Sequence, residues 1–191
     1  MRDLHLKLTG TRALLLHNGR LADPTHPLTR RLKELTGTRN KTDSVHEEIR
    51  KVEWLGSLYE DDEGRICLTE DMLLGCGIAG GKSLKKGAAM KAAVLGSQPF
   101  YPILYKGPRD KLELYESGKF VDYRGVVVQR NRTMRARPRF DEWSVKVSLM
   151  VDEDAINVKD VIAAYTYAGR MVGLGDFRPR FGRFDVEVVK G

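Results

Sequence analysis

Cysteine is nearly absent from the chain. Cys67 and Cys76 are the only two in 191 residues, and they have neither CxxC spacing nor paired histidines nearby, so a structural zinc site is not expected and a reducing compartment is. Long apolar runs are missing too: stretches such as 13–16 and 126–128 fall far short of the roughly 20 residues a bilayer span needs. No membrane helix is expected. The first residues, Met1-Arg2-Asp3-Leu4-His5, lack an apolar core followed by a small-residue cleavage site, so no secretory signal is expected and the cytoplasm is the expected location. Ser/Gly-rich and Pro-rich tracts are also wanting, while hydrophobic residues make up 41% and charged ones 31%. That balance supports a folded core, and a chain of this length reads as a single domain over 1–191.

Acidic residues are missing from two long stretches, and there the sequence becomes informative. No Asp or Glu occurs between residues 72 and 109, which hold Lys82, Lys85, Lys86, Lys91, Lys106 and Arg109. None occurs between 124 and 140, which hold Arg124, Arg130, Arg132, Arg135, Arg137 and Arg139. The acids gather elsewhere, at 60–63 and 152–154. A net charge of +7 segregated in this way can present one basic face, the electrostatic footprint of a polyanion binder.

Residues 4–10 alternate apolar and polar at period two and continue apolar to Leu16, the pattern of a strand. Residues 17–27, with Gly19, Pro24 and Pro27, read as a loop. A helix over 28–35 is ended by Gly37, and a second is capped by Thr42 or Asp43, with Val45, Ile49, Val52 and Leu55 or Gly56 on one face. Together these form a helical insertion over 24–57. A hairpin over 57–59 and 65–68 follows. Residues 75–83, Gly-Cys-Gly-Ile-Ala-Gly-Gly-Lys-Ser, read as a glycine-rich turn feeding a basic helix over 84–95. Strands are expected at 101–105, 123–129, 134–139, 143–151 and 184–189, with a helix over 158–172. The closing order of strand, helix, glycine-rich loop and strand points to an α+β domain of ferredoxin-like (RRM-like) type, with the insertion after its first strand.

Several chemistries are tested by spacing. Gly75 to Ser83 misses a P-loop by one residue and lacks the strand context of a dinucleotide fingerprint. No cofactor or metal is expected. As a turn at a helix start, flanked by Lys82, Lys85 and Lys86, the segment suits a polynucleotide phosphate. His17 and His26 share a loop region with Asp23, so a metal-independent ribonuclease using either histidine is one alternative. No catalytic residue is assigned. If extended, 124–140 places Arg130 and Arg132 on one face and Arg135, Arg137 and Arg139 on the other, with a bulge or turn near 131–133 able to gather them. The run 169–184 combines Gly173, Gly175 and Gly182 with Arg178, Arg180 and Arg183, and with Phe177, Phe181 and Phe184 for stacking or packing.

The run from Gly173 to Phe184 resembles the glycine-rich loop between the last helix and last strand of the RAMP superfamily of CRISPR-associated RNA-binding proteins. Gly80 to Ala88 resembles the small-residue turn and helix of that superfamily's crRNA-backbone subunits, differing by Lys86 before Gly87. Residues 175–184 are also similar to short phage and mobile-element proteins with a Gly-Asp-aromatic-Arg-Pro pattern. The resemblance implies a non-catalytic binder of single-stranded nucleic acid, RNA favoured over DNA, self-assembling along its strand or joining effector-complex subunits. It also admits a protein-interaction module of a phage or mobile element that mimics or inhibits a CRISPR-type effector.

Overall fold

The computed structural model describes residues 1–128 and 130–191, with the backbone alone at 128 and 131. In chain order its elements are β1 (Arg2–Gly10), β2 (Leu14–Leu15), α1 (Pro27–Gly37), α2 (Asp43–Gly56), β3 (Cys67–Thr69), α3 (Glu70–Ser83), α4 (Gly87–Ala93), β4 (Val94–Gly96), β5 (Phe100–Leu104), α5 (Lys111–Glu116), β6 (Val121–Val128), β7 (Asn131–Phe140), β8 (Ser144–Val151), α6 (Val158–Met171) and β9 (Phe184–Val188). The fold is α+β with antiparallel pairing. Among the described residues no helix is long and apolar enough to cross a membrane.

The chain divides into two compact units. One comprises Met1–Leu14, Tyr59–Lys106 and Phe140–Gly191, the other Leu15–Leu58 and Gly107–Arg139. The second unit is thus built from two excursions of the chain, one after β1 and one between β5 and β8. The helices expected over 24–57 belong to the first excursion and the arginine-rich strands to the second.

In the first unit the sheet order is β3-β5-β8-β1-β9, with β4 also pairing β8. Period-two alternation sets its faces: Leu4, Leu6 and Leu8 of β1 and Val145, Val147, Leu149 and Val151 of β8 are buried, each such side chain stabilising the fold by about 1.5–3 kcal/mol. The other face carries His5, Lys7, Lys146 and Ser148, with His5 opposite Ser148 and Lys7 opposite Lys146. Helix α6 lies close on β9, because a Cβ at Gly169 would meet the Phe184 carbonyl oxygen at 2.1 Å.

The glycine-rich turn expected over 75–83 is instead the body of a helix. Thr69 caps α3, its hydroxyl accepting from the Met72 N–H at 3.3 Å, and Glu70 and Asp71 occupy the first turn, where acids complement the helix dipole. The glycines serve close packing: a Cβ at Gly80 would sit 2.1 Å from the Ala164 carbonyl oxygen, and one at Gly77 would sit 2.7 Å from the Tyr165 ring. Burial of that face offsets the poor helix propensity of glycine. Both nucleotide-loop geometries are therefore absent from this segment. The helix expected over 84–95 shrinks to α4, because Lys85 takes a positive φ of 58° after α3 ends and the chain turns into β4 at Val94.

In the second unit β2, β7 and β6 form a three-stranded sheet in that order. The Trp54 Nε1–H donates to the Phe120 carbonyl at 2.8 Å, and its ring meets Tyr115 edge-on at 5.5 Å. Helix α5 was not expected; Asp110 caps it by accepting from the Leu112 and Glu113 N–H groups at 2.8 and 3.0 Å. The strand expected over 123–129 begins earlier, at Val121, and its last residue, Gln129, lies outside the described residues.

Candidate nucleic-acid interface

Register sorts the arginines of the β6–β7 hairpin. Val127 pairs with Arg132, Gly125 with Met134 and Tyr123 with Ala136, whereas Arg124 pairs with Arg135 and Asp122 with Arg137. Because side chains alternate along a strand, the first set shares one face and the second set the other. The first face is open: Val127 is 70% exposed, Met134 45% and Tyr123 40%. The Arg50 guanidinium lies over the Tyr123 ring, 4.1 Å from its centroid, a cation–π contact. Arg132 is exposed beside Val127, and Arg130, also exposed, stands at the turn with a positive φ of 71°. Apolar, aromatic and guanidinium groups thus face solvent together.

The second face turns inward. The buried Asp122 accepts from the Nε and Nη2 of Arg124, and Arg139 approaches it at 3.5 Å. Glu53 on α2, 3% exposed, binds the Nη1 of Arg135 with one carboxylate oxygen and accepts the Ala136 N–H with the other at 3.1 Å. Arg137 is buried. No turn gathers the hairpin's arginines into one patch: Arg130 and Arg132 reach solvent, and Arg135 and Arg137 do not share their face. Behind the hairpin lies a cavity of about 310 Å³ lined by His17, Leu32, Glu53, Val126, Arg135 and Arg137 among others.

The glycine-rich loop, in the first unit, is held by its backbone. Gly173, Gly175 and Gly182 have positive φ of 78°, 73° and 69°, a region that side chains disfavour. A Cβ at Gly182 would lie 1.8 Å from the Leu174 carbonyl oxygen. The Leu174 N–H donates to the Gly182 carbonyl at 2.9 Å, the Gly182 N–H to the Ala13 carbonyl at 2.8 Å, and the Cys76 thiol to the Gly173 carbonyl at 3.3 Å. Burial pushes that thiol up to about 12. Arg178 and Arg180 are exposed, while the Nε–H of the half-buried Arg183 donates to the Pro179 carbonyl at 2.7 Å. The Phe177 and Phe181 rings meet edge-on at 6.4 Å. Phe184 is buried against Trp143, so it packs the core.

Lys82, Lys85 and Lys86 are exposed where α3 gives way to α4. The Lys82 stem lies against Gly87, and the Lys86 ammonium pairs with Asp160 at 3.0 Å. Asp23 accepts from the Thr25 hydroxyl at 2.7 Å and its N–H at 2.8 Å, which hold the carboxyl below its ordinary value. The Nδ1 of His26 accepts from the Leu28 N–H at 3.2 Å as the cap of α1. His17 is exposed at the rim of the cavity. Among the described residues no three His, Cys, Asp or Glu side chains converge as metal ligands would.

Sequence reasoning passed over Glu53, Asp122, Arg50 and Tyr123. Glu53 was within reach, since it follows Ile49 by one helical turn and so falls on the same face. No protein-family model matches this chain, and no curated protein is significantly similar to it.

Proposed function

We propose that the chain is a non-catalytic binder of single-stranded nucleic acid, RNA favoured over DNA, whose larger unit is a ferredoxin-like domain of RAMP type. The strand order β9-β1-β8-β5 supports the fold reading, as do the helices that lead from β3 to β4 and from β8 to β9. The glycine-rich loop between α6 and β9, with its exposed Arg178 and Arg180, supports the family reading.

The observation that carries the function is the open face of the β6–β7 hairpin. It sets Tyr123, Val127 and Met134 on one face with Arg132, and Arg130 is exposed at the turn, which is the chemistry of base stacking joined to phosphate contact. The outer face of the larger sheet is different. Its central strands carry His5, Lys7, Lys146 and Ser148 but no Phe, Tyr or Trp, so in this reading bases stack on the hairpin. Asp23 and His26 are each engaged with neighbouring backbone, and they carry no chemistry in it.

The test is purification at low and high salt without nucleic-acid removal. Co-purifying RNA or DNA, whose digestion collapses a large particle, is the expected result. A clean protein that also ignores added single strands would overturn the proposal and turn attention to a protein partner.

A further inference from the structure

Another cavity of the smaller unit, of about 480 Å³, has Tyr123 as one of its walls. Helix α2 contributes Glu47 and Arg50, the end of α5 contributes Tyr115 and Glu116, and β6 contributes Val121 and Tyr123. Those two strand residues are two apart and share a side, the open face of the hairpin. The volume lies within the roughly 300 to 1,000 Å³ of ligand sites. Its polar groups form a chain. The Tyr115 hydroxyl donates to the Oε1 of Glu47 at 2.6 Å, the Oε2 of Glu47 holds the Nη1 of Arg50 at 3.0 Å, and the Arg50 guanidinium lies over the Tyr123 ring at 4.1 Å. Glu47 thus fixes the guanidinium against the ring and is engaged at both oxygens. Glu116 differs: its side chain is 66% exposed, and the Lys51 ammonium stands 3.8 Å away, beyond the roughly 3.2 Å of an N–H···O hydrogen bond.

These walls narrow the ligand. Two carboxylates against one guanidinium turn a phosphate away. Cation positions over both rings are already taken, by Arg50 on Tyr123 and by the Lys51 ammonium 5.9 Å from the centroid of Tyr115, so a cationic ligand gains little. A neutral planar group with N–H donors on its edge answers both the stack and the open acceptor. We infer that this cavity reads one base of a bound strand and selects guanine, stacked on the Tyr123–Arg50 pair with its Watson–Crick edge at Glu116. An ionised carboxylate only accepts. Guanine offers it two adjacent donors, N1–H and the 2-amino group, one for each oxygen. Adenine and cytosine set a ring-nitrogen acceptor beside their amino group, and uracil flanks its N–H with two carbonyls, so each turns a lone pair toward the carboxylate. The inference rests on the strand-binding function proposed above. Tyr123 and Val127 are four residues apart on β6, roughly 13 Å, so a strand whose phosphate meets Arg132, opposite Val127, can place a base at Tyr123.

The full chain would be titrated with oligouridines of about twelve nucleotides, one plain, one with a single central guanosine, and one with inosine there instead, which keeps N1–H and lacks the 2-amino group. Each titration would be repeated with Glu116→Gln and Tyr123→Ala, and guanosine alone would be titrated by NMR into the wild type and Glu116→Gln. The guanosine strand is expected to bind about tenfold tighter than the plain and inosine strands. In Glu116→Gln that ratio should fall toward one, a comparison within the variant that cancels the effect of the lost charge on strand binding as a whole. Tyr123→Ala should weaken the guanosine strand by about fivefold or more. Three strands bound alike overturn the base reading and leave the binding function standing. A guanosine preference that survives Glu116→Gln, or a guanosine strand indifferent to Tyr123→Ala, also overturns it. If no strand binds, the wider function falls. Saturable guanosine binding that Glu116→Gln weakens would then keep the pocket, and its absence would overturn both.

Discussion

Gly75 and Gly80 occupy the same helix and should respond to alanine in opposite directions. Nothing lies within 4 Å of a Cβ at Gly75, so Gly75→Ala gains helix propensity and should stabilise by about 0.5–1 kcal/mol. At Gly80 the same methyl group meets a backbone oxygen at 2.1 Å, so α3 must move from α6 and Gly80→Ala should cost about 1–3 kcal/mol. Urea melts of the two variants check both signs, and equal shifts would contradict the packing described. Cys76 and Tyr165 supply a pH counterpart. Burial raises both groups, the thiol from 9.0 to about 12. A buried acid with a raised pKa stays neutral in the fold and ionises first in the unfolded chain. The associated stability is thus fully present below pH 9.0 and is lost as pH rises toward 12. Native protein at pH 8 should not react with a thiol reagent at either cysteine, both being buried, and unfolded protein should react at both.

At the scale of elements, the balance of two forces decided what could be read from the sequence. Strands β1, β8 and β9 and helices α2 and α6 were legible because one periodicity governs each. Helix α3 was not, because its glycines signal both a turn and a close helix contact, and only the partner helix distinguishes the two. The capping residue Thr69 and the acids Glu70 and Asp71 were the available local clue. The hairpin was half legible. Its alternation gave the faces, but which face meets solvent depended on Glu53, far from the basic run, and on Asp122, just before it. That dependence is testable. Glu53→Gln keeps the shape but removes the charge opposite Arg135, whose side chain remains a third exposed. The expected loss is about 1–3 kcal/mol, below the full cost of breaking a wholly buried pair because water screens the arginine. Chemical denaturation measures it, and an unchanged midpoint would mean that Glu53 does not order the hairpin.

At the scale of the molecule, two units built from interleaved stretches of one chain share a net charge of +7, and the distinction between spent and available cations sets how it acts. Binding of a single strand should weaken with salt, log K falling against log salt with a slope of about −0.7 per neutralised phosphate. A cation already neutralised by a protein carboxylate displaces fewer counterions than one facing water. Arg130 and Arg132 face water at the hairpin, whereas Lys86 is paired with Asp160. The double variant Arg130→Gln/Arg132→Gln should therefore flatten the slope by about 1.4 if each arginine meets one phosphate. Lys86→Gln should change it by much less. Affinities measured by fluorescence anisotropy across a salt series give all three slopes. Equal flattening by both variants would mean that the Lys86–Asp160 pair opens on binding, and the strand would then run across α4 as well as the hairpin. A wild-type slope near zero would remove phosphate contact from the binding altogether, because a polyanion held by any of these cations must release its counterions.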